Sequence, residues 1–277
     1  MTVAVFTDST AYLPDRPPQI SIVPLQVTMA QRTGIDGVDV SAADVTAALR
    51  AKQSVTTSRP SPAQFAAAYR AALAAGASHV VSVHISSGLS GTWESAVLAA
   101  HDFGHGVVRV VDSRSTGAAL GFAARAADLA ARDGGTPAEV QEAAVRTVDA
   151  TRTYFYVDTL EYLRRGGRIG AAAALLATSL AVKPLLHMLD GQIMPLEKVR
   201  TSSKAIARLT QLTVDAAGVA KVEIAVQHVG SPDRAAAVAD AVRAQVPNVV
   251  AVHVAELSPV VAAHLGPGGL GTVVLKL

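Results

Sequence analysis

The 277-residue sequence contains no cysteine, which excludes disulfide scaffolds, thiolate metal sites and cysteine nucleophiles. Aromatic residues make up only 4% of the chain, with a single tryptophan, which argues against the base-stacking platforms that bind single-stranded nucleic acid. Charged residues make up 17%, and the formal net charge of +2 is too small to indicate a nucleic-acid partner. We therefore expect no nucleic acid among the partners.

Long apolar runs are also missing. The longest nearly uncharged run lies between Arg168 and Lys183 and is shorter than the ~20 apolar residues that span a bilayer. The N-terminal sequence has neither a basic lead nor a long apolar stretch, so no signal peptide is expected. Half of the residues are nevertheless hydrophobic, which is enough for a sizeable core. The sequence thus predicts a soluble, cytoplasmic protein.

The first half of the chain repeats a succession of apolar strand, hydroxyl-rich loop and helix. Apolar segments at residues 3–6, 80–85 and 107–111 are each followed by a loop rich in Ser, Thr, Asp or Gly. Three such units predict a mostly parallel sheet flanked by helices. Their loops are expected at the carboxyl edge of the sheet, where open α/β sheets bind ligands.

The second half has a different texture. Asp190-Gly191 predicts a hairpin between residues 186–189 and 193–196, and strands at 222–226 and 249–254 enclose a helix at 232–245. This favours a second α/β domain with a mixed or antiparallel sheet. We place the N-terminal domain at residues 1–150 and the C-terminal domain at residues 151–277.

The loop Ser86-Ser87-Gly88-Leu89-Ser90-Gly91-Thr92 is the first candidate site. Its hydroxyls, its backbone N–H groups and the helix that follows suit a phosphate or a carboxylate, although ordinary helix capping explains one such loop as well. Thr57-Ser58, in the proline-bounded segment 56–62, is expected at an equivalent strand end. No Walker loop or G-x-G-x-x-G pattern is present, and Gly88-Leu89-Ser90-Gly91 departs from G-x-S-x-G.

His264 is the second candidate, because the glycine-rich segment after it would let backbone and imidazole approach a ligand closely. A turn carrying an exposed histidine is the alternative. The eight histidines do not form a metal-binding motif such as H-E-x-x-H, so no metal site is expected. Arg164, Arg165 and Arg168 either complement a helix C-terminus or meet an acidic or phosphate-bearing partner, and Lys198 with Arg200 poses the same question.

Taken together, short blocks along the chain resemble the DegV family. They occur in the family's order from residue 6 to residue 268, so the resemblance covers nearly the whole sequence. The blocks are Phe6-Thr7-Asp8-Ser9-Thr10-Ala11, Thr57-Ser58-Arg59-Pro60-Ser61-Pro62, His84-Ile85-Ser86-Ser87-Gly88-Leu89-Ser90-Gly91-Thr92, Val111-Asp112-Ser113, Val157-Asp158-Thr159-Leu160-Glu161-Tyr162-Leu163, Gly166-Gly167-Arg168-Ile169, Val182-Lys183-Pro184, Lys198-Val199-Arg200-Thr201 and His264 with Gly266-Pro267-Gly268.

The resemblance implies a bacterial, two-domain carrier without a cofactor or catalytic residues of its own, and it implies that the C-terminal domain, residues 151–277, is the lipid-binding one. Such a carrier binds a long-chain fatty acid, such as palmitate, stearate or oleate, and presents it to the catalytic subunit of a fatty acid kinase. Transient contact with a membrane surface is compatible with that role. The residues implied in holding the carboxylate are Thr57, Ser58, Ser86, Ser87 and His264, and those implied to face the partner are Arg168 and Arg200.

One residue departs from the family pattern: Arg59 stands where the family usually has glutamine. Directed inward, Arg59 would contact the carboxylate; directed outward, it would alter the choice of partner. Residues 171–182 with Leu185, Leu186 and Met188 are expected either to line the acyl tunnel or to form ordinary core.

Two other classes of function remain open. The first is a serine-dependent acyl hydrolase or transferase that uses Ser86, Ser87 or Ser90 with His264 and Asp112. The second is a phosphate or nucleotide binder that uses the same loops.

Overall fold

The computed structural model describes residues 2–14, 19–30, 32–175 and 183–277. The strands of these residues are β1 (Val3–Asp8), β2 (Ile20–Val23), β3 (Gln26–Met29), β4 (Arg32–Ile35), β5 (Val55–Ser58), β6 (His79–His84), β7 (Val108–Asp112), β8 (Thr151–Tyr156), β9 (Lys183–Leu189), β10 (Gln192–Val199), β11 (Val222–His228), β12 (Val249–Glu256) and β13 (Leu270–Lys276).

Helices connect most of these strands. They are α1 (Ala42–Arg50), α2 (Pro62–Ala74), α3 (Thr92–Ala100), α4 (Gly117–Arg132), α5 (Pro137–Asp149), α6 (Glu161–Arg165), α7 (Ser202–Ala217), α8 (Pro232–Gln245) and α9 (Pro259–Leu265), with a 3₁₀ turn at Gly170–Leu175. Within the described ranges no helix is long and apolar enough to cross a membrane.

The chain divides into two compact units. The first comprises Met1–Gln26 and Ser58–Asp149, and the second comprises Val27–Thr57 and Ala150–Leu277. The sequence-based division at residue 150 assigned residues 27–57 to the N-terminal domain, whereas the structure groups them with the C-terminal half. The reason is tertiary: α1 packs against α9, and the Asp36 carboxylate accepts the backbone N–H of Val260 at 3.1 Å. Contacts of this sequence separation leave no local signal.

The first unit contains a four-stranded sheet in the order β2-β1-β6-β7. All three pairings are parallel, which confirms the predicted parallel sheet. Its strands are apolar on both faces because helices cover both faces. Val5, Val81 and Leu120 belong to the core cluster that includes α4, whereas Phe65 and Tyr69 of α2 belong to the cluster on Phe6 and Val80.

The helix start predicted at Ser61 is confirmed. The Ser61 hydroxyl accepts the backbone N–H of Gln64, and the Gln64 side chain accepts the backbone N–H of Ser61 at 2.8 Å. This capping box satisfies two backbone donors at the first turn, and Pro62 occupies a position where no donor is needed. The sequence therefore determines where α2 begins.

The second unit contains a six-stranded mixed sheet in the order β10-β9-β8-β13-β11-β12, and a separate three-stranded sheet has the order β4-β3-β5. Only the β11–β12 pair of the larger sheet is parallel among its described pairings. The hairpin predicted at Asp190-Gly191 joins β9 to β10, with φ of 48° and 77° at its two turn residues. Helices α7 and α8 pack on one face of this sheet, over Ile224 and Val226.

The expected tunnel wall is described only in part, because residues 176–182 lie outside the described residues. Ala172 and Leu175 of the 3₁₀ turn are buried. Leu185 and Leu186 are fully buried in β9, and Leu185 belongs to the core cluster beneath α7 and α8. Leu185 therefore fits the ordinary-core alternative.

Candidate functional site

Thr57 and Ser58 lie in a strand rather than in the loop that their prolines suggested. Both belong to β5, which pairs in the three-stranded sheet and not in the parallel one. The expectation that they follow a strand of the parallel sheet is therefore wrong. The β-branched run Val55-Thr56-Thr57 favours extended backbone, and the prolines begin only after it.

Within the second unit, Thr57 and His264 line a cavity of about 560 Å³. Three cationic side chains, those of Lys52, Arg165 and Arg168, line the same cavity. A hydroxyl, an imidazole and cations around one concave space form a donor-rich site, which suits an anion.

His264 occupies the last turn of α9, and its Nε2 lies 2.8 Å from Thr57 Oγ1. Its Nδ1 is buried and has no hydrogen-bond partner among the described residues. Burial, together with the positive charge of Arg168, lowers the pKa of His264 from 6.5 to about 4, so the ring is neutral at pH 7. The alternative of an exposed histidine in a turn is wrong.

The unpaired Nδ1 indicates which tautomer the ring adopts. A buried N–H without an acceptor costs about 1–3 kcal/mol, which disfavours the Nδ1–H tautomer. The Nε2–H tautomer instead donates to Thr57 Oγ1 and leaves a lone pair at Nδ1. The hydroxyl hydrogen of Thr57 is then free to be donated to a ligand.

Two glycines allow this arrangement. A Cβ on Gly166 would lie 2.1 Å from His264 Nδ1, so a side chain there would displace the imidazole. Gly266 ends α9 with φ of 78°, and a Cβ there would lie 2.0 Å from the Tyr162 ring. The segment between α6 and the 3₁₀ turn can therefore pack closely against the end of α9 only because both positions are glycine.

The first unit carries the predicted serine donors. Ser86 is fully buried after β6, and its Oγ accepts the backbone N–H of Gly88 at 3.1 Å. The Ser87 hydroxyl donates to Asp112 Oδ2 at 2.6 Å. Ser58 is exposed and its hydroxyl lies 3.4 Å from the side-chain oxygen of Gln26. The contribution of these three serines to a site remains a prediction.

The arginines occupy different environments. Arg168 is half-buried, lines the cavity and donates to the Gly166 carbonyl, whereas Arg200 is exposed just before α7. Arg164 and Arg165 end α6, as the helix-terminus interpretation predicts, and they also pair with Glu161 at 2.8 and 2.7 Å. Arg165 also lines the cavity, so this interpretation accounts for only part of its role.

Arg59 is directed to the surface of the first unit. Its guanidinium is half-exposed, pairs with Glu94 at 3.3 Å and lies over Gly91. Of the two alternatives for Arg59, this position fits the outward-directed one. Among the described residues, no group of three or more His, Asp or Glu side chains could hold a metal ion.

Sequence reasoning missed Lys52, Tyr162 and the contact between Gly166 and His264. Lys52 follows α1 in an unremarkable polar stretch, so nothing in its local sequence indicated a site. The pair Gly166-Gly167 was interpreted as a helix end, which is correct, but only the fold places Gly166 against the imidazole. The local sequence feature that could have indicated a site here is the pair Gly166-Gly167 followed by Arg168.

One unit on a parallel sheet and one on a mixed sheet form the two-domain α/β architecture that the motifs implied. A family model described as "Uncharacterised protein, DegV family" matches residues 2–277. The chain therefore belongs to the DegV family, which confirms the resemblance. A DegV domain-containing protein of Streptomyces coelicolor is 51% identical, with 98% of each chain covered.

Solved structures of DegV proteins have the same fold as this chain. A DegV family protein from Thermus thermophilus, for which fatty acid binding is described, matches with a TM-score of 0.94 and 34% identity over 100% of both chains. DegV from Bacillus subtilis, described as a fatty acid binding protein, matches with a TM-score of 0.90 and 32% identity over 100% of both chains. The predicted fold class is confirmed.

Proposed function

We propose that this chain is a carrier that binds one long-chain fatty acid and holds its carboxylate at the cavity of Thr57 and His264. The observation that carries the proposal is the hydrogen bond between these two side chains in a cavity lined by cations. The fatty acid binding described for the relatives from T. thermophilus and B. subtilis supports the choice of ligand.

The chemistry of the cavity suits a carboxylate. The Thr57 hydroxyl has a hydrogen to donate, and the neutral imidazole orients it. The positive charge of Arg168 at the cavity favours an anion. Burial of the acyl chain at ~0.8 kcal/mol per CH₂ would supply the affinity.

The proposal includes Ser58, Ser86 and Ser87 as further donors, on the strength of the family motifs. Of these, Ser87 has its hydroxyl hydrogen engaged by Asp112 at 2.6 Å. A ligand carboxylate could take that hydrogen only by displacing another carboxylate. We therefore expect Ser87 to contribute less than Thr57.

The same proposal makes this chain the non-catalytic subunit of a fatty acid kinase system. Cations at Lys52, Arg165 and Arg168 surround the space that would receive the carboxylate, and they suit the phosphate that a kinase would add. Arg200 is exposed and available to a partner. Palmitate, stearate and oleate are the proposed ligands.

The hydrogen bonds of the candidate serines argue against the acyl hydrolase alternative. Ser87 donates to a carboxylate, and Ser90 Oγ lies 2.9 Å from Thr92 Oγ1. A serine nucleophile needs a general base such as imidazole within hydrogen-bond reach. Neither of these contacts is with an imidazole, the base that the hydrolase alternative assigns to His264.

The decisive experiment is denaturing solvent extraction of the purified protein followed by mass spectrometry of the extract. We expect about one fatty acid per chain, and the spectrum would give its length and saturation. An extract that is empty, and stays empty after incubation with palmitate and oleate, would contradict the proposal.

A further inference from the structure

Asp8 lies at the end of β1 and its carboxylate accepts four hydrogen bonds. Oδ1 accepts the backbone N–H of Thr10 at 3.1 Å and the Thr10 hydroxyl at 2.6 Å. Oδ2 accepts the backbone N–H of Ile85 at 2.8 Å and contacts His84 Nδ1 at 3.0 Å. Asp8 and His84 are fully buried, so all four donors are needed to offset the desolvation of the carboxylate.

From Asp8 through His84 and Ser82 to Tyr69, each side chain accepts a hydrogen bond from the next. Because the carboxylate of Asp8 can only accept, His84 Nδ1 carries a hydrogen. His84 Nε2, 2.6 Å from Ser82 Oγ, then accepts from that hydroxyl, and Ser82 Oγ accepts from the Tyr69 hydroxyl at 2.8 Å. Every donor in this buried network has an acceptor.

The order Ser82–His84–Asp8 is that of a hydrolytic triad, but its setting excludes catalysis. All three side chains are 0% exposed, and Ser82 lies within β6 in the interior of the parallel sheet. No substrate can reach Ser82 Oγ. The network must therefore act through the backbone that it holds.

That backbone leads directly into the serine loop. Asp8 fixes the N–H of Ile85, and the next N–H, that of Ser86, donates to the Ser115 carbonyl at 2.8 Å. Ser86 Oγ in turn accepts from Gly88. The Asp8 carboxylate at the end of β1 thus fixes the backbone position from which the Ser86–Ser87 loop starts.

We propose that Asp8, through its bonds to His84 and Ile85, is a positioning residue that preorganises the Ser86–Ser87 loop for the carboxylate of a fatty acid. This inference rests on the proposed function and extends it to a residue that touches no ligand. Preorganisation of this kind lowers the entropic cost of binding, because the loop is ordered before the ligand arrives.

The test compares the affinities for palmitate and for hexadecanol, which share a chain but differ in the head group. In Asp8→Asn, an amide NH₂ group replaces one carboxylate oxygen. Because all the partners of Asp8 are donors, this NH₂ group faces donors and their hydrogen bonds are lost. The ratio of palmitate affinity to hexadecanol affinity is expected to fall about tenfold, which is the loss expected when a hydrogen bond to a charged group is weakened. The affinity for hexadecanol itself is expected to change by less than about twofold.

Ser82→Ala is the matched control for general destabilisation. It removes two buried hydrogen bonds from the same network, those of Ser82 with His84 and Tyr69, but leaves the four donors to Asp8 in place. The melting temperature is expected to fall in both variants, and the affinity ratio only in Asp8→Asn. An unchanged ratio in folded Asp8→Asn, or an equal fall in Ser82→Ala, overturns the inference.

A second pair of variants covers the case in which Asp8→Asn does not fold. His84→Asn places an amide N–H near the position of Nδ1, whereas His84→Leu removes that donor. The ratio is expected to be retained in the first and reduced in the second, and equal ratios overturn the inference. Wild-type protein that binds neither ligand overturns the proposed function, and this inference with it.

Discussion

His264 Nε2 lies 2.8 Å from Thr57 Oγ1, although 207 positions separate the two residues along the chain. The bond joins the last turn of α9 to β5, both within the second unit. Each residue alone came from a motif with an ordinary structural explanation. Their meeting in one cavity is the main support for the proposed carboxylate site.

Replacement of Thr57 by valine tests this site most directly. Thr57→Val keeps the side-chain shape but removes the hydroxyl, and a hydrogen bond to a charged group contributes about 1.5–3 kcal/mol. The dissociation constant for palmitate in calorimetry is therefore expected to rise by roughly 10- to 100-fold. Combination with Ser87→Ala is expected to weaken binding further.

Thr33→Val is the control for this experiment. Thr33 is an exposed threonine of β4 whose hydroxyl bonds only Thr28 in the contacts described, at 2.8 Å, and it does not line the cavity. Its replacement is expected to leave the affinity unchanged. An unchanged affinity in the Thr57→Val/Ser87→Ala double variant would remove the site assignment.

The lowered pKa of His264 predicts a specific pH dependence of stability. Because the folded-state pKa is about 4 against 6.5 for the unperturbed group, the unfolded chain binds the proton more readily between these values. Stability is thus unaffected by this group above pH 6.5 and falls as the pH drops towards 4. Between pH 7 and pH 5 the loss is at most roughly 2 kcal/mol.

Urea unfolding of delipidated protein at pH 7 and pH 5 measures this loss. Carboxylates elsewhere in the chain also respond to acid, so the informative quantity is the difference between wild type and His264→Gln. The variant is expected to lose less stability over this range. Identical losses would show that His264 does not carry the depressed pKa.

Gly166 provides a test that removes no polar group from the site. A Cβ in Gly166→Ala would lie 2.1 Å from His264 Nδ1, so the imidazole has to move away and its bond to Thr57 is lost. Palmitate affinity is expected to fall about tenfold. Gly104→Ala, whose Cβ would meet Val107 at an ordinary 3.5 Å, is the control and is expected to bind as wild type.

The sequence predicted most elements of the fold because their signals are local. Ser61 with Pro62 determined a helix start, Asp190-Gly191 determined a hairpin, and apolar runs marked the parallel strands. The placement of residues 27–57 in the second unit was not predictable, since it depends on contacts such as Asp36 with Val260. For the same reason Lys52 and Gly166 could not be assigned to the site from sequence.

Arg59 is expected to have little effect on binding despite its place in a family motif. Its pair with Glu94 is exposed on both sides, and such pairs contribute about 0–1 kcal/mol. Arg59→Gln, which restores the usual residue of the family, should change palmitate affinity by less than about twofold and leave thermal stability nearly unchanged. A large loss of affinity would place Arg59 in contact with the ligand.

Arg168→Ala tests whether binding of the fatty acid can be separated from its use by a partner kinase. Because Arg168 is half-buried, lines the cavity and is anchored to the Gly166 carbonyl, its charge is fixed close to where a phosphate would form. Thr57 and His264 remain in Arg168→Ala, and Lys52 and Arg165 still supply positive charge at the cavity, so palmitate should still bind with an affinity within a few-fold of wild type. Formation of acyl phosphate by a purified fatty acid kinase catalytic subunit with ATP should slow by about tenfold or more, the loss expected when one charge-assisted contact is removed.

The exposed Arg200 is the matched comparison for Arg168, since it carries the same charge outside the cavity. If Arg200 only guides the approach of the kinase, the effect of Arg200→Ala should shrink as salt is raised, whereas the effect of Arg168→Ala should persist. Loss of palmitate binding in Arg168→Ala would instead make Arg168 part of the carboxylate site. That result would move the partner-facing role to the exposed cations and leave the carrier function itself intact.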